Sequence, residues 1–190
     1  KLNKIQLKKY TRIKKYFPSS MHSLSNSAGV HLGKNYHFDM VRPGISLYGG
    51  NFKKIKKYKF KNVVTLKAKI IQVREIKKGD TIGYGATYKA KEKMIVGTLS
   101  FGYADGFNRL FSNNYKFYKK NKKLPILGRV SMDLVTVDLS RLGTKNNLFN
   151  FDIEIINEKH SINRISELIN TIPYEILTSI GKRYQRKYII

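Results

Sequence analysis

The chain has 190 residues, room for one sizeable domain or for a small domain beside part of another. Its 41% hydrophobic content suffices for a core, no apolar run nears the ~18 residues of a membrane helix, and zero Cys excludes disulfides and thiolate metal sites. The formal net charge is +26, yet the lysines are scattered, with small clusters at 53–61 and 119–123, and aromatics are not interleaved with them as in RNA-binding modules. We therefore read the charge as solvated surface in a chain rich in Lys, Asn and Ile, with no specific nucleic-acid partner and no membrane contact.

Residues 1–17 predict a basic amphipathic helix, with Ile5, Tyr10, Ile13 and Phe17 near one face and Pro18 ending it. This segment lacks the apolar centre and cleavage site of a signal peptide, and a cytoplasmic location is expected. Residues 20–24 predict a short strand, and Ser25-Asn26-Ser27-Ala28-Gly29 a helix start. Such a strand-to-helix turn aims N–H and hydroxyl donors at an anion. On its own it reads first as an ordinary N-cap, since Ser and Asn are the common caps.

In HFDMVRPGISLYGG (37–50) the alternation of Phe38, Met40 and Arg42 against Val41, Ile45 and Leu47 predicts a strand turning at Pro43-Gly44. Arg42 stands in an apolar run and keeps its charge, so it needs a partner if buried. Gly44-Ile45 offers backbone N–H groups to an anion. An exposed Arg on an edge strand explains the local pattern as well.

From residue 61 the character changes. VVTLKAKIIQVREI (63–76) alternates as a long strand, KKGD (77–80) is a turn, and MIVGTLSFGYADGF (94–107) is a strand entering a Gly-rich loop. KLPILGRVSMDLVTVDLS (123–140) predicts two strands with Gly128 as a bulge or bend, and FDIEII (151–156) another. SINRISELINT (161–171) predicts a helix capped by Ser161, PYEILTSIGKR (173–183) a second short helix or turn, and KYII (187–190) a final strand. The expectation is a mainly β chain: an antiparallel β domain with one or two helices from about 51 to 190.

Tyr84 lies between two glycines in GYGATY (83–88), which lets a phenol stand exposed on a loop. A phenol titrates near ~10 and becomes a useful base at neutral pH only beside a stabilising cation. By itself such a Tyr is more often a surface or packing residue. The four His, at 22, 31, 37 and 160, are not at metal-ligand spacing, so no metal is expected.

Taken together and in order, HSLSNSAGV (22–30), HFDMVRPGISLYGG, GYGATY, FGYADGFNR (101–109), LGRVSMDLVTVDLS (127–140) and YEILTSIGKR (174–183) resemble the C-terminal half of alanine racemase over nearly the whole chain. The resemblance implies that residues 1–50 are the last βα units of a pyridoxal 5'-phosphate-binding (β/α)8 barrel and that 51–190 are the family's C-terminal β domain. A part-barrel leaves a strand edge and an apolar interior open.

The resemblance also implies L-alanine to D-alanine interconversion for cell-wall peptide, with alanine as substrate and a homodimer, or association with an N-terminal barrel half, as partner. It gives Tyr84 the role of catalytic base, reaching the opposite subunit's site. It places Arg42 at the pyridine nitrogen, where a permanently charged guanidinium weakens the electron sink and suppresses side reactions. Ser27, Gly44, Ile45 and Tyr174 match the phosphate cup, with Asn26 adjacent. Met132 and Asp133 match the loop that meets the substrate carboxylate, and Arg129 and Tyr103 the entrance. Tyr88 is read as structural, and Ser131 stands where many family members have Cys.

No position here corresponds to the family's Schiff-base lysine, and racemisation needs a base on each face of the reacting carbon. The 190 residues alone are therefore expected to be inactive. The rival readings are a non-catalytic β domain left by a decayed or split gene and, further off, a basic nucleic-acid-binding module.

Overall fold

Eleven consecutive residues, Leu66–Ile76, form the longest strand, β1; its burial alternates over its first half, where Ala68 and Ile70 turn inward and Lys67 and Lys69 face solvent, and past the register shift at Ile70/Gln72 the strand is mostly exposed until Ile76. The computed structural model describes residues 1–51, 60–119, 121–143 and 148–189. Most of the lysine cluster at 53–61 lies outside the described residues. The chain divides into two compact units, Lys1–Val63 and Val64–Ile190.

In the first unit, α1 spans Leu2–Lys14 and buries none of its residues. Ile5, Ile13 and Phe17, the apolar positions near one face, are exposed, while the Tyr10 hydroxyl donates to Ser23 O (3.3 Å) and accepts from Ser23 N–H (3.1 Å). The strands expected at 20–24 and 38–42 do not form. A strand exists only as a member of a ladder, and the one isolated parallel bridge here joins Arg42 to Asn26, just past the first segment. A four-residue helix, α2 (Ser27–Val30), follows the bridge, and a 3-10 turn covers Ile45–Tyr48.

The second unit adds β2 (Thr81–Ile82), β3 (Tyr88–Lys89), β4 (Met94–Leu99), β5 (Lys116–Lys119), β6 (Lys122–Pro125), β7 (Val135–Asp138), β8 (Asp152–Ile156), α3 (Ile162–Leu168) and α4 (Pro173–Thr178). A four-stranded sheet runs β7-β4-β1-β8, and β2-β3 and β5-β6 form two-stranded ribbons. Every strand pairing among the described residues is antiparallel. Gly128, with φ +79°, bends the chain between β6 and β7. Ser161 caps α3, its hydroxyl accepting from Arg164 N–H, as the sequence predicts. KYII forms no strand over residues 187–189; Tyr188 and Ile189 project into solvent without a ladder partner, and Ile190 lies outside the described residues.

Among the described residues of this unit two apolar clusters stand out. Ile76, Ile82, Ala90, Met94, Val96 and Leu127 form one, with Tyr88 packed against it and donating its hydroxyl to Met94 Sδ. Tyr88 is thus a packing residue. The other is aromatic: Phe101, Phe107, Phe111, Tyr115 and Phe117, all buried, with neighbouring ring centroids 4.5–5.1 Å apart at the closest pairs.

At the edge of the aromatic cluster the Tyr115 hydroxyl lies 3.2 Å from His160 Nδ1, and the Tyr118 ring packs on the imidazole at 4.7 Å. Burial first, and the Arg164 charge second, hold the His160 pKa below its ordinary value. A depressed imidazole pKa means that the unfolded chain binds the extra proton more readily. The stabilisation is therefore complete above the ordinary pKa of ~6.5 and falls away as pH drops below it. We expect the urea midpoint to fall between pH 7.5 and pH 5.5 by more in the natural chain than in His160→Phe. An equal fall in both would show that His160 is not the titrating group.

Candidate functional site

In the first unit, the candidate anion-binding residues gather around one hydroxyl. Asn26 caps α2, its Oδ1 accepting from Gly29 N–H at 3.0 Å, and this turns Ser27 inward until it is 1% exposed. Ser27 Oγ accepts from Gly44 N–H at 2.7 Å and from Ser46 N–H at 3.4 Å. Its own proton remains available to donate. Gly44 N–H therefore supports the hydroxyl instead of standing free, whereas Ile45 N–H, at the start of the 3-10 turn, has no acceptor among the described residues. The Ser46 hydroxyl is buried without a partner. A Cβ on Gly44 would touch only Ser27 Oγ, at 3.9 Å, so the chain leaves room beside this donor group.

Arg42 is exposed, and its partner is not a carboxylate. Nη1 donates to Ser23 O at 3.0 Å and to the Ser23 hydroxyl. The single parallel bridge, carried by Arg42 N–H to Ser25 O at 2.8 Å, sets Arg42 beside the start of α2.

The remaining candidates belong to the second unit. Tyr84 opens a 3-10 turn, Tyr84–Ala86, and is 73% exposed. Gly83 has φ +78°, and a Cβ there would lie 2.9 Å from Arg129 N and 3.3 Å from Gly128 Cα, so no other residue fits between Ile82 and the 128–129 segment. A Cβ on Gly85 would lie 3.3 Å from Arg129 Nη1. The loop thus rests on Gly128-Arg129 and presents its phenol outward, with a guanidinium against the loop backbone.

Met132 (53% exposed) and Asp133 stand at the tip of the turn before β7. That turn is closed by Ser131, whose N–H (3.1 Å) and hydroxyl (2.7 Å) both donate to Leu134 O. It lies against the 102–106 turn: Tyr103 N–H donates to Ser131 O and Ala104 N–H to Met132 O, each at 3.0 Å. A Cβ on Gly102 would come within 2.2 Å of Ser131 O, which makes glycine obligatory at this approach. Tyr174 is the first-turn residue of α4 after Pro173 and is half exposed.

Sequence reasoning missed two residues. Arg183 donates from Nη1 to Asp133 Oδ1 at 2.7 Å, and its Nε lies 3.3 Å from Oδ1 of the buried Asp105. Asp105 Oδ2 also accepts from Gly102 N–H at 2.9 Å. The Asp133 hydrogen bond, then the Asp105 charge, raise the Arg183 pKa; burial and Asp105 push up the Tyr184 phenol beside it. The only sequence signal for this pairing was charge in two Gly-containing turns, YADG and GKR. Among the described residues no group of three His, Cys, Asp or Glu side chains could hold a metal, and no helix is long and apolar enough to cross a membrane.

A family profile described as alanine racemase, C-terminal domain, matches residues 63–188, and the N-terminal domain profile matches residues 1–52. The chain belongs to the alanine racemase family. It is 45% identical over 184 residues to the alanine racemase of Rickettsia bellii, covering 96% of this chain and 45% of that one, and 44% identical over 183 residues to that of Rickettsia canadensis, covering 96% and 50%. The crystal structure of alanine racemase from Bartonella henselae with covalently bound pyridoxal phosphate superimposes with a TM-score of 0.90 at 39% identity, over 98% of this chain and 52% of that one. The chain spans about half the length of the curated relatives it matches. These likenesses bear out the fold expected from sequence: the end of the racemase barrel, then the family's mainly antiparallel β domain.

Proposed function

We propose that this chain supplies the C-terminal part of a pyridoxal 5'-phosphate-dependent alanine racemase, with Tyr84 as one of its two bases. The observation that carries the reading is the Tyr84 loop: a phenol held outward by two glycines on a rigid bed, with the Arg129 guanidinium against the loop. The donor chemistry fits the cofactor's phosphate. Ser27 has a proton to give, Ile45 N–H is unpaired among the described residues, and the buried Ser46 hydroxyl lacks a partner. When bound, the cofactor acts as the electron sink that makes the α-hydrogen of alanine removable.

The chain's own residues then divide the work. Ser27 and Ile45 would hold the phosphate end, and Gly44 orients Ser27. Arg42, already anchored on Ser23, keeps two of its three guanidinium nitrogens for the ring nitrogen and cannot readily give up a proton there. The turn that carries Met132 and Asp133 meets the alanine carboxylate, and Tyr84 takes or returns the α-proton at its phenolic oxygen. With this reading go a cytoplasmic location, D-alanine for cell-wall peptide as the product's use, and partnership in a homodimer or with a barrel half. The uncovered apolar residues of α1 suit such a partner.

No lysine here matches the family's cofactor-anchoring position. Purified chain with pyridoxal phosphate and L-alanine is therefore expected to form no D-alanine above the cofactor's own background, and adding a chain that carries the earlier barrel strands and the lysine is expected to restore it. Racemisation by the 190 residues alone would overturn the inactive-alone reading. Failure of the mixture, with both chains folded, would favour the non-catalytic β domain.

A further inference from the structure

Three turns of the second unit close on one cation. The 102–106 turn approaches the 131–134 turn through Gly102, and a Cβ on Gly106 would lie 2.3 Å from Ser179 O, so the segment leading to Arg183 abuts the same place. Asp105, 6% exposed, accepts one N–H from Gly102 and needs a cation to offset the loss of water around its charge. Arg183 supplies it, and reaches Asp133 with another nitrogen of the same plane.

We propose that Arg183 is the positioning residue of the Met132–Asp133 turn. Ser131 closes that turn on itself, but little else ties it to its neighbours: Met132 is 53% and Leu134 40% exposed, and its two bonds to the 102–106 turn run from Tyr103 and Ala104. A guanidinium has donors at fixed angles and can grip two carboxylates at once; an ammonium is a point charge on a flexible stem and grips them poorly. The pairing has a second consequence, which rests on the proposed racemase activity. Asp133 places a negative charge beside the residue that would meet the substrate carboxylate, and Arg183 neutralises it. The turn can then accept an anionic amino-acid head instead of repelling it.

The test uses the 190-residue chain and amide hydrogen exchange read by NMR. In Arg183→Gln, exchange at Tyr103 and Ala104 is expected to quicken by about tenfold or more while the amides shared by β1 and β4 keep their protection. Asp133→Ala removes only the exposed arm, leaves buried Asp105 paired, and is expected to quicken the same two amides; it serves if Arg183→Gln does not fold. Arg183→Lys is expected to fall between the natural chain and Arg183→Gln. Unchanged protection at Tyr103 and Ala104 would overturn the proposal, as would a uniform loss across the sheet, which marks a general stability role. Protection in Arg183→Lys equal to the natural chain would refute the two-carboxylate grip. This outcome is independent of racemisation: the clamp can be present in a chain that never turns over alanine, and active chain mixtures can exist without the clamp.

Discussion

With a lysine-bearing barrel half in place, Tyr84→Phe is expected to slow exchange of the α-proton of L-alanine with solvent deuterium by about 10²-fold or more, the usual cost of losing a positioned general base. The substitution removes one oxygen from a side chain that is 73% exposed, so the loop and its contacts with Gly128-Arg129 stay intact. Assembly and cofactor absorbance should not change. The effect should also be one-sided. In the role that the family resemblance gives it, the Tyr takes the proton from the L-isomer and the lysine takes it from the D-isomer. Washout from L-alanine therefore suffers most. Measuring washout from each enantiomer in both proteins decides the matter: equal rates in mutant and natural chain, for both enantiomers, would remove Tyr84 from the mechanism and with it the site assignment.

The second large effect lies in the core. Phe117→Ala is expected to cost about 3–5 kcal/mol in urea unfolding, a large fraction of the ~5–15 kcal/mol that a domain of this kind commands. Phe117 is fully buried, with Phe101, Phe107 and Tyr115 centroids 5.8, 5.7 and 5.1 Å away. Few of these rings can move into the hole, because each is fixed by the next. Phe149→Ala, at an exposed ring, should change stability by less than about 0.5 kcal/mol. A loss under about 1 kcal/mol at Phe117 would mean that the aromatic cluster does not hold the unit.

The β domain was legible because its signals are local. Alternation over 63–76 marks a strand whichever strand it pairs with, Ser161 caps the next helix within three residues, and the Gly83-Tyr84-Gly85 turn carries its conformational demand in its own composition. The Ser27 turn was half legible. Ser25-Asn26-Ser27 was recognisable as a helix start, but that Gly44 N–H supports Ser27 is visible only once residues 17 positions apart are seen to meet.

Elsewhere the sequence misled. Residues 20–24 and 38–42 have the pattern of strands, and KYII has the composition of one, but a strand is defined by its neighbours, and these segments have one bridge or none. The apolar positions of α1 are periodic, yet α1 buries none of its residues, since periodicity offers a face without supplying the surface that covers it.

By itself, then, the sequence determined the antiparallel β domain and the Gly-flanked Tyr84 loop, because each follows from a short run of residues and its intrinsic geometry, and it determined the family through six such runs taken in order. Only the tertiary structure decided which carboxylates Arg183 would bind. Its Asp133 partner lies 50 residues back, Asp105 further still, and in a chain with 38 basic and 12 acidic side chains no local rule selects that pairing. The selection is made by glycines at 102 and 106, which let three turns approach so closely that one guanidinium reaches both charges.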